Sequence, residues 1–465
     1  MALPQPVGRQ REVLYLPATG HVAVLGTAGS GKTTLAILRA AYLSDASTDH
    51  AGRTLLVTFN RALVTYLRSI GGRELCGVTV ENYHKFARGY LSSRGKMTWS
   101  AIIDSDDRIE LIRQAIANVK AQYGEHAIFS KPAEFIAEEV RWIAQSGIST
   151  AKAYHQSPPT LPAELVVPEV LPILWQILEE YWRIRAASGK QYDWDDIAVK
   201  MCEELAVDTG TRRYKHVIID EGQDFSPMMI KSLVRAVPVD GSVTFFGDVA
   251  QQIYGSRLTW RSAGLNLVAT PWLFKENYRN TREIAELALA ITRLPHYQGA
   301  ADLVAPTTPR AAGPKPSLVL FQNENEETKF VVDKAVELSA AGSVAILTVD
   351  HAQRKMFNGR FKNGTYTELT NEMATWKSGA GLSIGTLHAA KGLEFDSVLI
   401  PRMSAILFPQ ADDIAAFGDE RAKTDAARLL YVGVTRAKQG LILTSGGAVT
   451  SLLPTDSRFI HISTP

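Results

Sequence analysis

The sequence lacks the features that define secreted and membrane proteins. It has only two cysteines, Cys76 and Cys202, which lie far apart and exclude a disulfide framework and a local Cys-x-x-Cys site. No apolar run approaches the roughly 20 residues that span a bilayer. The first ten residues contain no apolar stretch of the kind found in secretory signals. We therefore expect a cytoplasmic protein with no membrane partner.

An excess of charge of one sign is also missing. The 50 Lys and Arg residues nearly balance the 48 Asp and Glu residues, which leaves a formal net charge of +2. Any binding of nucleic acid must therefore come from a local groove and not from the overall charge. The length of 465 residues allows about two to four domains.

A glycine-rich turn between an apolar run and a helical pattern is the most informative stretch. Residues 22–25 predict a buried strand, Gly26-Thr27-Ala28-Gly29-Ser30-Gly31-Lys32-Thr33 forms the turn, and a helical pattern follows. Such a turn directs backbone N–H groups and a helix N-terminus at a phosphate chain. Lys32 adds a positive charge for the β and γ phosphates, and the Thr33 hydroxyl can bind Mg²⁺. A chance glycine-rich turn is the alternative, and the flanking strand and helix argue against it.

Two later strands end in groups that suit phosphate chemistry. Residues 217–219 predict a buried strand that ends in Asp220 and Glu221. Asp220 can hold Mg²⁺ through water, and Glu221 is placed to orient and deprotonate an attacking water. Solvated acids at a strand tip are the alternative. The strand at residues 243–246 ends in the polar segment 247–254, where an amide could sense a γ-phosphate.

Two other predicted strands end in an aromatic residue with a basic neighbour. Phe59-Asn60-Arg61 follows the strand that ends at residue 58, and Tyr83-His84-Lys85 comes shortly after the strand at residues 78–80. This pattern suits single-stranded nucleic acid, because ring stacking contributes about 1–3 kcal/mol per base and cations hold the backbone. For each ring taken alone, packing in the core is the alternative.

The remaining chain divides into a helical block and a second α/β region. Residues 100–188 have a helical period and no chemical motif, whereas the region from about residue 270 has no phosphate loop of its own. Residues 351–364 are a basic, glycine-containing stretch, which we expect to form a loop. We also predict a helix over residues 428–438, with Arg436 on its polar side.

Seven motifs in order resemble those of superfamily 1 helicases of the UvrD/Rep/PcrA type. They are GTAGSGKT, LVTFN, IIDEGQD, GDVAQQIY, ENYR, TLHAAKGLEF and YVGVTRA. The resemblance implies an α/β fold of two RecA-like P-loop NTPase domains with parallel sheets and a helical insertion. It also implies that ATP binds in the cleft between the domains, with Mg²⁺, while the protein moves along single-stranded DNA.

The resemblance assigns the domains by position. Residues 1–90 and 190–268 match the first RecA-like domain, called 1A, residues 91–189 match the helical insertion, which is 1B-like, and residues 269–465 match the second RecA-like domain, 2A. Full-length family members carry a further domain, 2B, between the positions of Arg279 and Thr386. Here this interval is filled by elements of 2A, so we expect 2B to be absent or reduced to residues 351–364.

The resemblance also implies roles at the ATP site. Gln10 matches the adenine-reading glutamine, Tyr278 the tyrosine that stacks on the base, and Glu394 a ribose contact. The implied Mg²⁺ ligands are Thr33 and Asp220. The implied catalytic residues, which include a γ-phosphate sensor and two arginines that reach across from the second domain, are Lys32, Glu221, Gln251, Arg279 and Arg436. The full implied ATP-binding set is Gln10, Gly26, Thr27, Ala28, Gly29, Ser30, Gly31, Lys32, Thr33, Thr34, Tyr278, Arg279, Glu394 and Arg436.

A third set of matched positions lines the DNA path. The family usually has a tryptophan two residues after the tyrosine of its third motif, whereas this chain has Ser256 there and Trp260 four residues further on. We therefore expect one stacking position to be missing or displaced. The predicted DNA-binding residues are Phe59, Asn60, Tyr83, His84, Tyr254, Trp260, Thr386 and His388.

Two functions from different classes follow. The first is a Mg²⁺- and ATP-dependent helicase or translocase on single-stranded DNA or a tailed duplex, with 3′ to 5′ polarity implied only by the resemblance. The second is a nucleotide- and DNA-sensing subunit that regulates a partner nuclease, for example in a repair or antiphage complex, with little unwinding of its own. Both fit a cytoplasmic protein that associates with the nucleoid if it is bacterial. A third hypothesis, a metabolic P-loop kinase, explains the glycine-rich loop but leaves the other six motifs without a role.

Overall fold

The computed structural model describes residues 3–27, 29–157, 169–248, 260, 263–274, 276–297, 311–370, 373, 375–377 and 379–465. The helices in these ranges are α1 (Gln10–Leu14), α2 (Lys32–Ser44), α3 (Arg61–Gly71), α4 (Tyr83–Ser93), α5 (Ser105–Tyr123), α6 (Ala133–Ser146), α7 (Ala151–His155), α8 (Val170–Ala187), α9 (Ile197–Val207), α10 (Pro227–Arg235), α11 (Arg282–Thr292), α12 (Glu324–Ser339), α13 (His351–Asn358), α14 (Ala411–Phe417) and α15 (Asp419–Val434). The strands are β1 (Gly20–Gly26), β2 (Thr54–Thr58), β3 (Val78–Asn82), β4 (His216–Ile219), β5 (Ser242–Gly247), β6 (Trp272–Phe274), β7 (Ser317–Leu320), β8 (Ser343–Thr348), β9 (Tyr366–Glu368), β10 (Gly381–Thr386), β11 (Phe395–Ile400), β12 (Ala437–Ser445) and β13 (His461–Ser463).

The first α/β unit contains a six-stranded sheet with the order β3-β2-β4-β5-β1-β6. Its strand pairs are all parallel, which is the pattern that helical crossovers produce. Because β1 lies between β5 and β6, the turn after β1 sits beside the carboxyl end of β5. Ligands of open α/β sheets bind at the carboxyl ends of the strands, where the strand order changes direction.

Alternating side chains on these strands form two separate cores. Leu56 of β2 and Val24 of β1 pack with residues of α2 and α3. Leu55 and Val57 of β2 pack on the other face with residues of α4, α9 and α10. Both faces of the sheet are therefore covered, which explains why its strands appear in the sequence as continuous apolar runs.

The second α/β unit contains a seven-stranded sheet with the order β13-β7-β12-β11-β8-β10-β9, and its pairs are also parallel. Val344 and Ile346 of β8 pack on one face with α12. The other face packs with α15 and belongs to a core that continues into the first unit. At this junction Gly392 lies so close to α3 that a Cβ atom there would come within 2.7 Å of Leu63.

The helical insertion packs around a core of its own. Helices α5, α6 and α8 bury Ile112, Ile136 and Ile177 against one another. The buried Arg108 joins this block to the segment that returns to the first sheet, because its guanidinium group donates to Asp193 at 2.5 Å. The insertion is thus a compact block fixed at its base.

Two predicted boundaries differ from the observed elements, and part of the stretch at residues 351–364 is a helix. β6 pairs with β1, so the first unit continues through Phe274 and not only to residue 268. The helix predicted over residues 428–438 ends at Val434, and β12 begins at Ala437. Residues 351–358 form the regular helix α13, with Asp350 as its N-cap, and this helix packs on β8 and β10. This helix therefore belongs to the second unit, and the absence of a 2B domain stays a prediction.

Among the helices of the described ranges, none has the length and apolar character needed to cross a membrane.

Candidate active site

The phosphate loop joins β1 to α2 and contains a lysine that is bound to the loop itself. Gly31, the N-cap of α2, has φ of 83°, a left-handed conformation that glycine adopts without strain. The Lys32 ammonium group donates to the carbonyl groups of Gly26 and Thr27, each at 2.8 Å, and lies 3.8 Å from Asp248. Burial lowers the pKa of Lys32, although Asp248 and other acids oppose this effect. The lysine therefore occupies the inside of the loop, where phosphate oxygens would compete with the carbonyl groups for it.

Asp220 and Thr33 form a pair that suits Mg²⁺. Asp220 follows β4 and accepts a hydrogen bond from the Thr33 hydroxyl. Its Oδ2 atom is buried and has no hydrogen-bond partner within the described residues. Burial, reinforced by the charge of Glu221, raises the pKa of Asp220 to about 7. An unpartnered buried carboxylate oxygen beside a hydroxyl fits a hard cation that prefers oxygen ligands and keeps several waters.

Glu221 has a backbone conformation that is uncommon outside glycine. Its φ is 52°, and residues held in this region cluster at functional sites. Its carboxylate accepts a hydrogen bond from Gln223, whose Oε1 in turn accepts from the Asp248 backbone N–H at 2.8 Å. Burial alone would raise the pKa of Glu221, but the nearby charges of Arg436, Lys32 and Lys391 outweigh burial and lower it. The carboxylate is therefore kept ionised, as a general base must be.

Arg436 of the second unit is fully buried, although its position in the sequence suggested an exposed residue on a helix. It lies in the turn between α15 and β12, and its side chain donates to the Val432 carbonyl and to the Thr435 hydroxyl, each at 3.0 Å. Burial and the nearby charge of Arg279 lower the pKa of Arg436 to about 10, whereas Glu221 opposes the shift. A charged guanidinium group is thus held inside the protein close to the acids of the first unit.

Arg279 is also close to this cluster and pairs with a predicted ribose contact. Its Nη2 lies 2.5 Å from Oε1 of Glu394. Burial alone would lower the pKa of Arg279, but Glu394 and other acids outweigh burial and raise it. The structure therefore brings Arg279 and Glu394 together. A ribose hydroxyl would have to share Glu394 with Arg279 or displace it.

Asn280 connects the two arginines, and sequence reasoning missed it. Its amide nitrogen donates to the carbonyl groups of Thr435 and Ala437, at 3.2 and 2.5 Å, on either side of Arg436. Its Oδ1 accepts from Asn277 at 2.8 Å. The only sequence signal is its position directly after the ENYR motif. Asn280 therefore fixes the segment that carries Arg279 to the turn that carries Arg436.

A second missed feature is an ion pair across the two units. Lys391 of the second unit pairs with Asp224 of the first, and both side chains are buried. Burial raises the pKa of Asp224 to about 6, and Lys391 opposes the rise. Asn60 adds a further bond across the junction, from its amide nitrogen to the Ala389 carbonyl at 3.1 Å. These contacts close part of the cleft beside the phosphate loop.

The two predicted base-binding residues are hydrogen-bonded to the phosphate loop, at Gly29 and Ser30. Gln10 is buried and donates to the Ser30 carbonyl at 2.9 Å, while its oxygen accepts from the Val7 N–H at 3.0 Å. The Tyr278 N–H donates to the Gly29 carbonyl at 2.9 Å, and the residue is 58% exposed. Tyr278 is thus attached through its backbone to the phosphate loop, and its side chain is largely exposed. This arrangement fits a residue that stacks on a base.

The predicted DNA-binding residues that follow β2 and β3 differ in their burial. Phe59 and His84 follow neighbouring strands, and their ring centroids are 5.5 Å apart. Tyr83 is fully buried, with its hydroxyl 2.7 Å from that of Ser232, so the prediction that it contacts DNA is wrong. A ring with no exposed surface cannot stack on a base.

The remaining DNA positions differ in exposure. His388 is exposed, whereas Thr386 is buried and its hydroxyl accepts from the Ala389 N–H at 3.2 Å. Trp260 is half-buried, and its ring packs edge-on against Phe245 at 5.1 Å. Ala28, Gln251 and Tyr254, which were also predicted as site residues, lie outside the described residues.

Comparison with known proteins gives matches over most of the chain. The model of the UvrD/REP helicase N-terminal domain matches residues 8–269, and the model of the UvrD-like helicase C-terminal domain matches residues 365–446.

Curated relatives match at low identity. ATP-dependent DNA helicase UvrD2 from Mycobacterium bovis is 24% identical over 580 residues, which cover 97% of this chain and 81% of the relative. A probable DNA helicase II homolog from Mycoplasma capricolum is 22% identical over 347 residues, which cover 69% of this chain and 45% of the relative. A probable DNA helicase II homolog from Rickettsia conorii is 41% identical over 76 residues, 16% of this chain and 12% of the relative.

Proposed function

We propose that this chain, which belongs to the UvrD/Rep helicase family, is an ATP-driven motor that moves along single-stranded DNA. Membership rests on the family model that matches residues 8–269, more than half of the chain. The family consists of ATP-dependent DNA helicases, and this chain has the phosphate loop and acids of such an enzyme. What the individual residues do, the direction of movement and the extent of unwinding are the content of the proposal.

The observation that carries the proposal is the division of charge across the cleft. The first unit contributes the carboxylates of Asp220, Glu221 and Asp248, and the second unit contributes the guanidinium groups of Arg279 and Arg436. The electrostatic effect of Arg436 on Glu221 supports their proximity. A triphosphate bound to Lys32 would lie between the two sets of charges.

In the proposed reaction each group has one task. Lys32 leaves the loop carbonyls and binds the β and γ phosphates, and Glu221 accepts a proton from the attacking water. Arg279 and Arg436 stabilise the negative charge that develops on the transferred phosphoryl group. Thr33 and Asp220 would hold Mg²⁺, which when bound neutralises phosphate charge.

Movement along DNA would follow from closure of the cleft. Because Arg279 and Arg436 belong to the second unit, a complete site requires both units to be close, and hydrolysis or product release relaxes that requirement. Phe59 and His84 belong to the first unit, whereas His388 belongs to the second. DNA held by both groups would therefore be shifted each time the units move. We propose 3′ to 5′ polarity from the family resemblance alone.

The extent of unwinding is expected to be limited. The alignment with the Mycobacterium bovis relative is longer than this whole chain, so that relative carries additional residues within the aligned region. This supports the prediction that a 2B domain is absent here. We therefore propose translocation as the main activity. A second role, regulation of a partner nuclease in a repair or antiphage complex, is favoured by the same compactness.

Two assays test the proposal. We expect ATP hydrolysis by the pure protein to rise strongly when single-stranded DNA is added, and Lys32→Ala to abolish it. Strand displacement on duplexes with 3′ or 5′ single-stranded tails then measures polarity and unwinding. Hydrolysis that is absent, or that does not respond to DNA, would contradict the motor. Strong stimulation with no displacement, together with co-purification of a nuclease, would favour the regulatory role.

A further inference from the structure

A patch of basic and aromatic side chains lies outside the ATP site and outside the DNA residues discussed above. It consists of Arg61, Arg88, Trp99 and Lys190, and is called here the Arg88–Trp99 patch. The guanidinium carbon of Arg88 lies 3.5 Å from the centroid of the Trp99 ring. Trp99 is 69% exposed, an unusual state for the largest side chain in proteins. Its ring therefore has one face stacked on a cation and much of its remaining surface open to solvent.

The backbone places the patch next to a predicted DNA contact. β2 and β3 are parallel with Thr58 opposite Asn82, so the residues that follow these strands emerge at the same edge. His84 and Arg88 lie one helical turn apart on one face of α4. Burial lowers the pKa of both His84 and Arg88, and the charge of Arg61 lowers both further. Arg61 begins α3 at the edge of the sheet where β3 also ends, so the patch adjoins His84.

The turn that carries Trp99 is fixed by buried contacts on both sides. Met97 before it is buried, and the Ala101 carbonyl after it accepts from the Tyr192 N–H at 2.9 Å. The Lys190 ammonium group donates to the Ser100 carbonyl at 3.2 Å, which brings another cation to the turn. An aromatic ring on a fixed backbone loses little conformational entropy when it binds a ligand.

The cations of the patch differ from other basic side chains of the same unit. Lys85 pairs with Glu81 at 2.9 Å, Arg94 with Asp208 at 3.5 Å, and Lys96 with Glu204 at 3.6 Å. Within the described part of the chain, Arg61, Arg88 and Lys190 form no ion pair with a carboxylate. Cations without acidic partners around an exposed ring match the binding surfaces of single-stranded nucleic acids, where cations follow the backbone and bases stack on rings.

We propose that the Arg88–Trp99 patch binds single-stranded DNA as it leaves His84, with a base on the open face of Trp99 and phosphates on the neighbouring cations. The inference rests on the proposed function and deepens it, because it extends the DNA path beyond the residues that the family resemblance assigns. The patch adds affinity for the strand, and it takes no part in ATP hydrolysis.

Fluorescence anisotropy with labelled oligo(dT), measured at several salt concentrations, tests this inference. We expect Trp99→Ala to weaken binding about fivefold to a hundredfold and to shorten the bound length by about one nucleotide, whereas Trp99→Phe retains most of the affinity. Arg88→Met should weaken binding and lower the slope of log affinity against log salt by about 1. Arg94→Ala, which removes a paired cation near the same turn, is the matched control and should leave binding unchanged.

The outcomes separate this inference from the proposed function. Thermal unfolding and ATP hydrolysis without DNA should be unchanged in Trp99→Ala and Arg88→Met, because neither residue belongs to the proposed ATP site and Trp99 is exposed. Wild-type affinity and bound length in both variants would overturn the inference while the motor proposal stands. A wild-type protein that binds no single-stranded DNA would overturn both.

Discussion

The two α/β units have similar parallel sheets, yet they contribute opposite charges to the junction between them. The first unit provides Asp220, Glu221, Asp224 and Asp248 at the carboxyl ends of β4 and β5. The second provides cations from three separate segments of chain. Lys32, the cation of the first unit, is bound to its own loop. In the proposed mechanism neither unit is therefore a complete ATPase, although the phosphate-loop motif occurs in the first unit.

The contacts between the two units also suggest why the second unit has no phosphate loop of its own. Its arginines are attached to the first unit's loop through backbone contacts, since Tyr278 donates to Gly29 and the next residue is Arg279. Asn280 then joins this segment to the turn of Arg436. In the proposed mechanism the second unit supplies cations to a site that the first unit builds. Four changes test this division of labour.

Replacing the two arginines of the second unit should have the largest effect. We expect Arg279→Lys and Arg436→Lys each to lower kcat by about 10³-fold or more, because a lysine keeps the charge and loses the planar fork that binds phosphoryl oxygens. Steady-state hydrolysis with saturating DNA measures the loss. Arg282→Ala, at an exposed arginine on the same segment, is the control. Near-normal turnover in both lysine variants would contradict the claim that the second unit supplies essential guanidinium groups.

Removing the base of the first unit should come next. We expect Glu221→Gln to lower kcat by about 10²- to 10⁴-fold, the usual contribution of a general base. Binding of a fluorescent ATP analogue should stay close to wild type, because the amide keeps the shape of the side chain and Lys32 remains. A variant that hydrolyses ATP normally would show that another group accepts the proton.

Breaking the buried pair across the junction should destabilise the protein. Lys391→Met leaves Asp224 buried without its partner, which typically lowers the free energy of unfolding by about 3–5 kcal/mol. The double variant Lys391→Met with Asp224→Leu should recover much of that loss, because no buried charge remains. Urea unfolding of the single and double variants measures the coupling. Additive losses in the double variant would show that the pair does not act as a unit.

The smallest expected effect is a pH dependence of Mg²⁺ binding. Because the raised pKa of Asp220 is about 7, Asp220 holds a proton below that pH, and the metal must displace it. The apparent affinity for Mg²⁺ should fall about tenfold for each pH unit below 7 and level off above it. Activity at limiting Mg²⁺ should follow the same curve and recover when Mg²⁺ is raised. An affinity that does not change between pH 5.5 and 7 would contradict this assignment.

The sequence predicted the features that depend on neighbouring residues. The phosphate loop, the acids after β4 and the aromatic residues after β2 and β3 all follow short apolar strands, and a strand with its following turn can be recognised locally. The helical character of residues 100–188 was also predicted, because the apolar residues of its helices are regularly spaced.

The remaining features depend on contacts between distant residues. The pairing of β6 with β1 joins segments far apart in the chain, and a three-residue strand has no periodic signal. Tyr83 and His84 are adjacent, yet only the packing of α4 against α9 and the contact of the Tyr83 hydroxyl with Ser232 of α10 decide that the tyrosine points into the core. The burial of Arg436 and its proximity to Glu221 come from the meeting of the two units, which no local pattern encodes. The Lys391–Asp224 pair has the same origin.

A crystal structure with single-stranded DNA and ADP bound to a phosphoryl-transfer mimic such as aluminium fluoride tests the central claim most directly. The account predicts that the guanidinium groups of Arg279 and Arg436 both lie within hydrogen-bond distance, about 3 Å, of the mimic, with Glu221 on the attacking side. A closed structure in which both arginines remain on their present partners and away from the mimic would contradict it.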